Sequence, residues 1–116
     1  GTVATLDYGG QVQGEDEGTR LARAVAKGAN VMFLRNHGVI IVGSTPAEAW
    51  LRTYFLERAC EMQILAQSTG SKLVLGKKSV AERTAKQWTE ASDHESPLLF
   101  TAMKRLLDRD QPGWDR

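Results

Sequence analysis

Residues 31–43 read Val-Met-Phe-Leu-Arg-Asn-His-Gly-Val-Ile-Ile-Val-Gly, and this stretch constrains the chain more than any other. Two short apolar runs, 31–34 and 39–42, flank the polar quartet Arg35, Asn36, His37 and Gly38. Each run is too short for a helix and rich in β-branched or bulky residues, so each is predicted to be a buried strand. The quartet between them is then a tight connection. Gly38 is the residue expected to take the backbone angle that other residues resist. A histidine held between two core strands sits at the mouth of a sheet with little freedom. That suits a metal ligand, because the chain has already fixed the ring's direction. It also suits a purely structural histidine, the commoner use of a lone histidine.

The remaining elements follow from local signals. Residues 3–8 form a strand candidate broken by Gly9 and Gly10, and Val12 and the acidic Glu15, Asp16 and Glu17 come next. Leu21, Ala22, Val25 and Ala26 repeat at helical spacing up to Gly28, which leads with Ala29 and Asn30 into the first central strand. The acidic cluster lies at that helix's start, where the backbone's partial positive charge favours it, and reads as a solvated helix entry rather than a metal site. Thr45, Pro46 and Glu48 make a capping-box start for a helix running to about residue 68, with Gly70 ending it. On this helix Ala47, Leu51, Tyr54, Phe55, Met62, Leu65 and Ala66 form one apolar stripe, and Leu56, Cys60 and Ile64 a second on roughly the opposite side. The second stripe calls for cover from another helix, from a further part of the protein or from a neighbouring subunit. Downstream, 72–75 reads as a brief extended segment, 80–88 as a short helix, 89–97 as a polar linker and 98–107 as a final helix.

Composition narrows the classes of function. The chain has 116 residues, enough for one domain, with 41% hydrophobic and 25% charged residues, an ordinary globular balance. Fifteen basic and 14 acidic residues leave a net charge of +1 and no basic block, so neither nucleic acid nor an anionic membrane is implied as a partner. No apolar run approaches the roughly 20 residues of a membrane span. One cysteine, Cys60, excludes an internal disulfide and fits a reducing, cytoplasmic setting, with the thiol read as a small packing residue. The first residue is Gly1 rather than Met, which suggests a processed or partial chain. The aromatics Trp50, Tyr54, Phe55, Trp88 and Trp114 read as packing or tail residues. Arg35 could meet a phosphate or carboxylate, or simply end a strand in solvent. Gly9 and Gly10 are too little for a phosphate loop.

With these residues laid out, the chain resembles the class II aldolase/adducin family. Residues 33–43, with Asn36-His37-Gly38 between two strands, and the capped helix carrying Leu56-Glu57-Arg58-Ala59 are similar to the C-terminal half of that domain. Asp7-Tyr8-Gly9-Gly10 and the 98–107 helix are similar to its adducin-like branch. The resemblance implies an α/β fold, a three-layer α/β/α sandwich around a mostly antiparallel sheet, of which only the C-terminal part is expected here. Residues 1–90 would be that part of the domain, and 91–116 a linker and C-terminal helix and tail. The family's enzymes hold a divalent metal, usually zinc, with three histidines: a His-x-His pair from the N-terminal half, and the histidine of Asn-His-Gly, here His37. The metal acts as a Lewis acid on a small carbonyl or hydroxy substrate. Members commonly form homotetramers, which would cover the second stripe of the capped helix.

The chain also departs from the family pattern. It has two histidines, His37 and His94, no His-x-His pair and no matching upstream carboxylate, so the acid/base residue is unknown. One imidazole cannot hold a catalytic zinc, which takes three protein ligands and an open position. The metal is therefore expected only if a further segment supplies the pair, and the 116 residues alone are expected to be inactive. His94 lies in a polar stretch and reads as solvated. Two functions follow: part of a metal-dependent aldolase-like lyase, or a non-catalytic, adducin-like interaction module.

Overall fold

The computed structural model describes residues 2–10 and 15–115. Gly1 and Val12 lie outside the described residues. The chain divides into two compact units, Gly1–Ser44 and Thr45–Arg116.

The first unit is built as β1 (Thr2–Asp7), α1 (Glu15–Ala26), β2 (Ala29–Arg35) and β3 (Gly38–Ile41). The α/β class expected from the sequence is what the chain adopts. The three strands form one sheet in the order β1-β2-β3. β1 runs parallel to β2, which two strands joined through a helix can do and a tight turn cannot. β2 runs antiparallel to β3, with Val31 opposite Ile41 and Leu34 opposite Gly38. The central strand carries the core: Ala29, Met32 and Leu34 are buried, Met32 to 1% exposure. Met32 and Leu34 are two apart and share one face of the sheet. α1 packs on β2.

The turn between β2 and β3 corrects one expectation. The residue in the left-handed region is Asn36, with φ 56°, and Gly38 is not. His37 N donates to Leu34 O at 3.1 Å, closing a four-residue turn in which Asn36 occupies the third position. A positive φ at that position is the mark of a type II turn, and asparagine is the non-glycine residue that accepts it most readily. Gly38 instead enters β3 in ordinary backbone, opposite Leu34.

The second unit contains α2 (Pro46–Ser68) and α3 (Lys78–Asp110), which pack against each other. α2 begins as expected: Thr45 is extended, and its Oγ1 accepts a hydrogen bond from Glu48 N at 3.1 Å. Gly70, at φ 68°, follows its end. An aromatic ladder joins the two helices. Phe55 meets Trp88 edge-on at 4.5 Å, Trp50 meets Phe100 at 6.0 Å, and Trp50 stacks on Tyr54 at 5.6 Å. These rings are packing residues, as the sequence suggested. Leu56 and Cys60 of the second stripe are half-buried, while Ile64 is exposed.

α3 corrects a second expectation. Residues 72–75 form no regular element, and the segment 89–97, read as a linker from its polarity, is helix throughout. Two of its hydroxyls bond within the helix, where Thr89 Oγ1 donates to Ala85 O at 3.0 Å and Ser92 Oγ to Thr89 O at 3.0 Å. Ser92 and Ser96, four residues apart on one face, are buried, Ser96 to 2% exposure. Packing of that face, rather than its polarity, decides the conformation, and the helix continues through Pro97.

Candidate functional site

The first unit contains a cavity of about 390 Å³ lined by Tyr8 and Gly10 after β1, Glu17 and Leu21 of α1, and residues 34 and 37–40 of the β2–β3 hairpin. Its position follows from the topology. The parallel register sets Asp7 opposite Arg35, so the chain leaving β1 emerges beside the hairpin turn that β2 enters. Glu17 and Leu21 are one helical turn apart and therefore face the same way. The walls from Leu21, Leu34, Val39 and Ile40 are apolar, and the polar groups are the phenol of Tyr8, the carboxylate of Glu17 and the imidazole of His37.

His37 lies at the mouth of this cavity and is exposed. Its ring is stacked face to face on Tyr8, with centroids 3.6 Å apart and planes within 5°. The imidazole is not sealed into the core, and its nitrogens make no hydrogen bond among the described residues. A face-to-face contact leaves the ring's in-plane lone pair open, which is the direction a metal or a proton donor needs.

Glu17 is the site residue that the sequence reading passed over. Its side chain is 14% exposed, and Arg20 Nη2 donates to Glu17 Oε1 at 2.7 Å. Arg20 also donates to the carbonyl oxygen of Asp7, tying α1 to the end of β1. The pair sits close against Gly9, where an added Cβ would come within 2.6 Å of Glu17 Oε2. Glu17 is thus a part-buried, ion-paired wall of the cavity rather than a solvated helix entry. The signal available in the sequence was its spacing four residues before Leu21, on the apolar face of the helix.

Arg35 does not reach into the cavity. It is exposed and pairs with Asp7 across the sheet, Nε to Oδ1 at 3.5 Å. His94 is exposed on α3, in the second unit, and Cys60 is half-buried on α2. Among the described residues no group of three or more His, Cys, Asp or Glu side chains comes together to hold a metal ion. His37 therefore has the exposure and free lone pair of one donor, and the described residues do not complete a metal centre around it. No described helix is long and apolar enough to cross a membrane.

A mixed sheet with helices, and a hairpin that presents Asn-His-Gly at a cavity, define an α/β domain of the class II aldolase type. The chain matches the Class II Aldolase and Adducin N-terminal domain over residues 1–64 and belongs to that family. It is 34% identical, across 97% of its length, to a Caulobacter vibrioides protein that carries an aldolase class 2 name, covering 44% of that protein. It is 33% identical to human beta-adducin over 69 residues, 60% of this chain and 10% of the adducin. A crystal structure of an aldolase II superfamily protein from Pseudomonas syringae superposes with a TM-score of 0.84 at 29% identity, covering 98% of this chain and 46% of that one. The chain thus spans less than half the length of each of these relatives.

Proposed function

We propose that this chain is the C-terminal part of a class II aldolase-like domain, residues 1–90 with the α3 continuation behind it. In that role it supplies His37 as one ligand of a divalent-metal site in a lyase acting on a small carbonyl or hydroxy substrate. The observation that carries this reading is the His37 imidazole, exposed at the cavity mouth with no hydrogen bond to its nitrogens among the described residues. Zinc suits such a donor, and the remaining ligands, a His-x-His pair, would come from a further segment of the parent protein. When bound, the metal supplies Lewis acidity toward a substrate oxygen. Within this chain the part of His37 is to donate one nitrogen at a cavity whose other walls, from Leu21, Leu34, Val39 and Ile40, are apolar. The parent is proposed to be a cytoplasmic homotetramer, in which a neighbouring subunit covers the part of α2 around Met62, Ile64 and Leu65 that α3 leaves exposed.

Two measurements test this reading. Calorimetric titration of these 116 residues with zinc is expected to give no tight stoichiometric binding, and a tight one-to-one site would contradict it. In the intact native protein, His37→Ala is expected to abolish both metal content and aldol cleavage, and an unchanged metal content would overturn the assignment. The alternative, an adducin-like assembly module without catalysis, is favoured if the parent reading frame carries no His-x-His pair. The likeness to beta-adducin keeps that comparison worth making.

A further inference from the structure

We propose that Tyr8 is the positioning residue for His37: its phenol ring fixes the plane of the imidazole and so directs the nitrogens across the cavity mouth. The proposal rests on the reading of His37 as a donor and adds to it the residue that orients the ring.

A ligating histidine is ordinarily held by a hydrogen bond from its second ring nitrogen to a carboxylate or carbonyl, which fixes both tautomer and direction. No such bond reaches His37 among the described residues. The histidine also follows Asn36 at the tip of a hairpin, where the backbone alone leaves the side-chain torsions free. The constraint that is present is the stack, with planes within 5° and centroids 3.6 Å apart. The fold supplies it from a distance in sequence, because the parallel pairing of Asp7 with Arg35 brings the residue after β1 next to the hairpin turn.

The geometry distinguishes this role from mere packing. A ring nitrogen's lone pair lies in the ring plane, so a neighbour covering the face restrains rotation without occluding the donor. A face contact also demands no proton, so either nitrogen can serve as the donor. The phenol's contribution comes from its ring rather than its hydroxyl, and phenylalanine should replace it.

The test uses the 116-residue chain with Tyr8→Phe and Tyr8→Leu variants, read by the proton chemical shifts of the His37 ring and by their response to added zinc. Ring current from a stacked aromatic displaces those signals upfield. Retention of the displacement in Tyr8→Phe and its loss in Tyr8→Leu is the expected result. The zinc concentration needed to shift the His37 signals should rise about tenfold in Tyr8→Leu and stay unchanged in Tyr8→Phe, the low end of losses for a residue that orients a ligand. Amide dispersion reports whether each variant is folded, and Tyr8→Phe carries the test if Tyr8→Leu is not. Undisplaced His37 signals in the unmodified chain, or a Tyr8→Phe variant that loses the displacement, would overturn the proposal. Millimolar zinc, enough for the weak binding that a lone accessible imidazole allows, should move the signals of the unmodified chain. Signals left unmoved there sink the donor reading instead, while the displacement still decides whether Tyr8 orients the ring.

Discussion

Gly9 and Glu17 are in close approach: a methyl group on Gly9 would stand 2.6 Å from Glu17 Oε2 and 3.2 Å from its carboxyl carbon. The absent side chain at Gly9 is what lets the carboxylate lie along the cavity wall while Arg20 holds it. Gly9→Ala is therefore expected to push the carboxylate away from its arginine. The cost is about 1 kcal/mol, the low end for overpacking, because the clash falls on the end of a side chain rather than on backbone. Urea denaturation followed by circular dichroism measures it. The penalty should largely vanish when Gly9→Ala is made in a Glu17→Ala background, since the two residues then no longer meet.

The hairpin turn yields an expectation opposite to the one its sequence invites. Asn36 carries the positive φ, at 56°, while Gly38 does not, and a Cβ added to Gly38 meets no atom within 4 Å. Asn36→Ala should cost about 1 kcal/mol, the penalty for a side chain in the left-handed region without asparagine's local compensation. Asn36→Gly should be close to neutral, and Gly38→Ala should fold as well as the unmodified chain. Comparison of the three denaturation midpoints decides this. A Gly38→Ala variant less stable than Asn36→Ala would contradict the turn geometry.

How much of this was legible in the sequence depends on the range of the forces involved. The start of α2 was plain because Thr45, Pro46 and Glu48 settle it among themselves, one hydrogen bond and one ring closure apart. The runs at 31–34 and 39–42 were plain as strands because short apolar segments of β-branched or bulky residues have few other uses. The burial expected of both holds only in β2, since β3 is exposed at Gly38 and Val39 and half-buried at Ile40 and Ile41. The stack of Tyr8 on His37 was not legible, since it exists only once β1 pairs parallel to β2, and no local pattern specifies a strand's partner. Residues 89–97 were misread for a related reason. Ser92 and Ser96 look like solvent-facing residues in a list of letters, and only packing reveals that small polar side chains are buried there. Family membership was legible from the Asn-His-Gly hairpin and the Leu56-Glu57-Arg58-Ala59 segment of the capped helix, which lie within the matched residues 1–64.

The cap of α2 has its own test. Thr45 Oγ1 accepts from Glu48 N, satisfying one of the backbone donors that a helix start leaves open. Thr45→Ala should destabilise the chain by about 1 kcal/mol, and Thr45→Ser or Thr45→Asp should retain most of the stability, since each keeps an oxygen in place. Glu48, buried at 7% exposure, pairs with Arg52 one turn along. Glu48→Gln should cost less than Glu48→Ala, because the amide oxygen can still accept from the arginine. Thermal melts of the five variants, monitored by helical circular dichroism, give the ranking. Equal melting temperatures for Thr45→Ala and the unmodified chain would exclude the cap as a source of stability.

Pro97 provides the sharpest test of the long helix. A proline inside a helix offers no N–H to the carbonyl four residues earlier, here Asp93, and its ring crowds that carbonyl. α3 nevertheless runs from Lys78 to Asp110 through it, so the packing of the buried serines on either side of Asp93 must outweigh the local penalty. If that is right, Pro97→Ala restores a hydrogen bond without altering the fold and should stabilise the chain by roughly 1–3 kcal/mol, up to the full interior cost of proline. Were 89–97 a solvated linker instead, the same substitution would raise the helix content from a lower starting value, with little change in the unfolding midpoint. Measuring ellipticity at 222 nm together with the denaturation midpoint separates the two cases: an unchanged ellipticity with a raised midpoint is the outcome a continuous α3 requires.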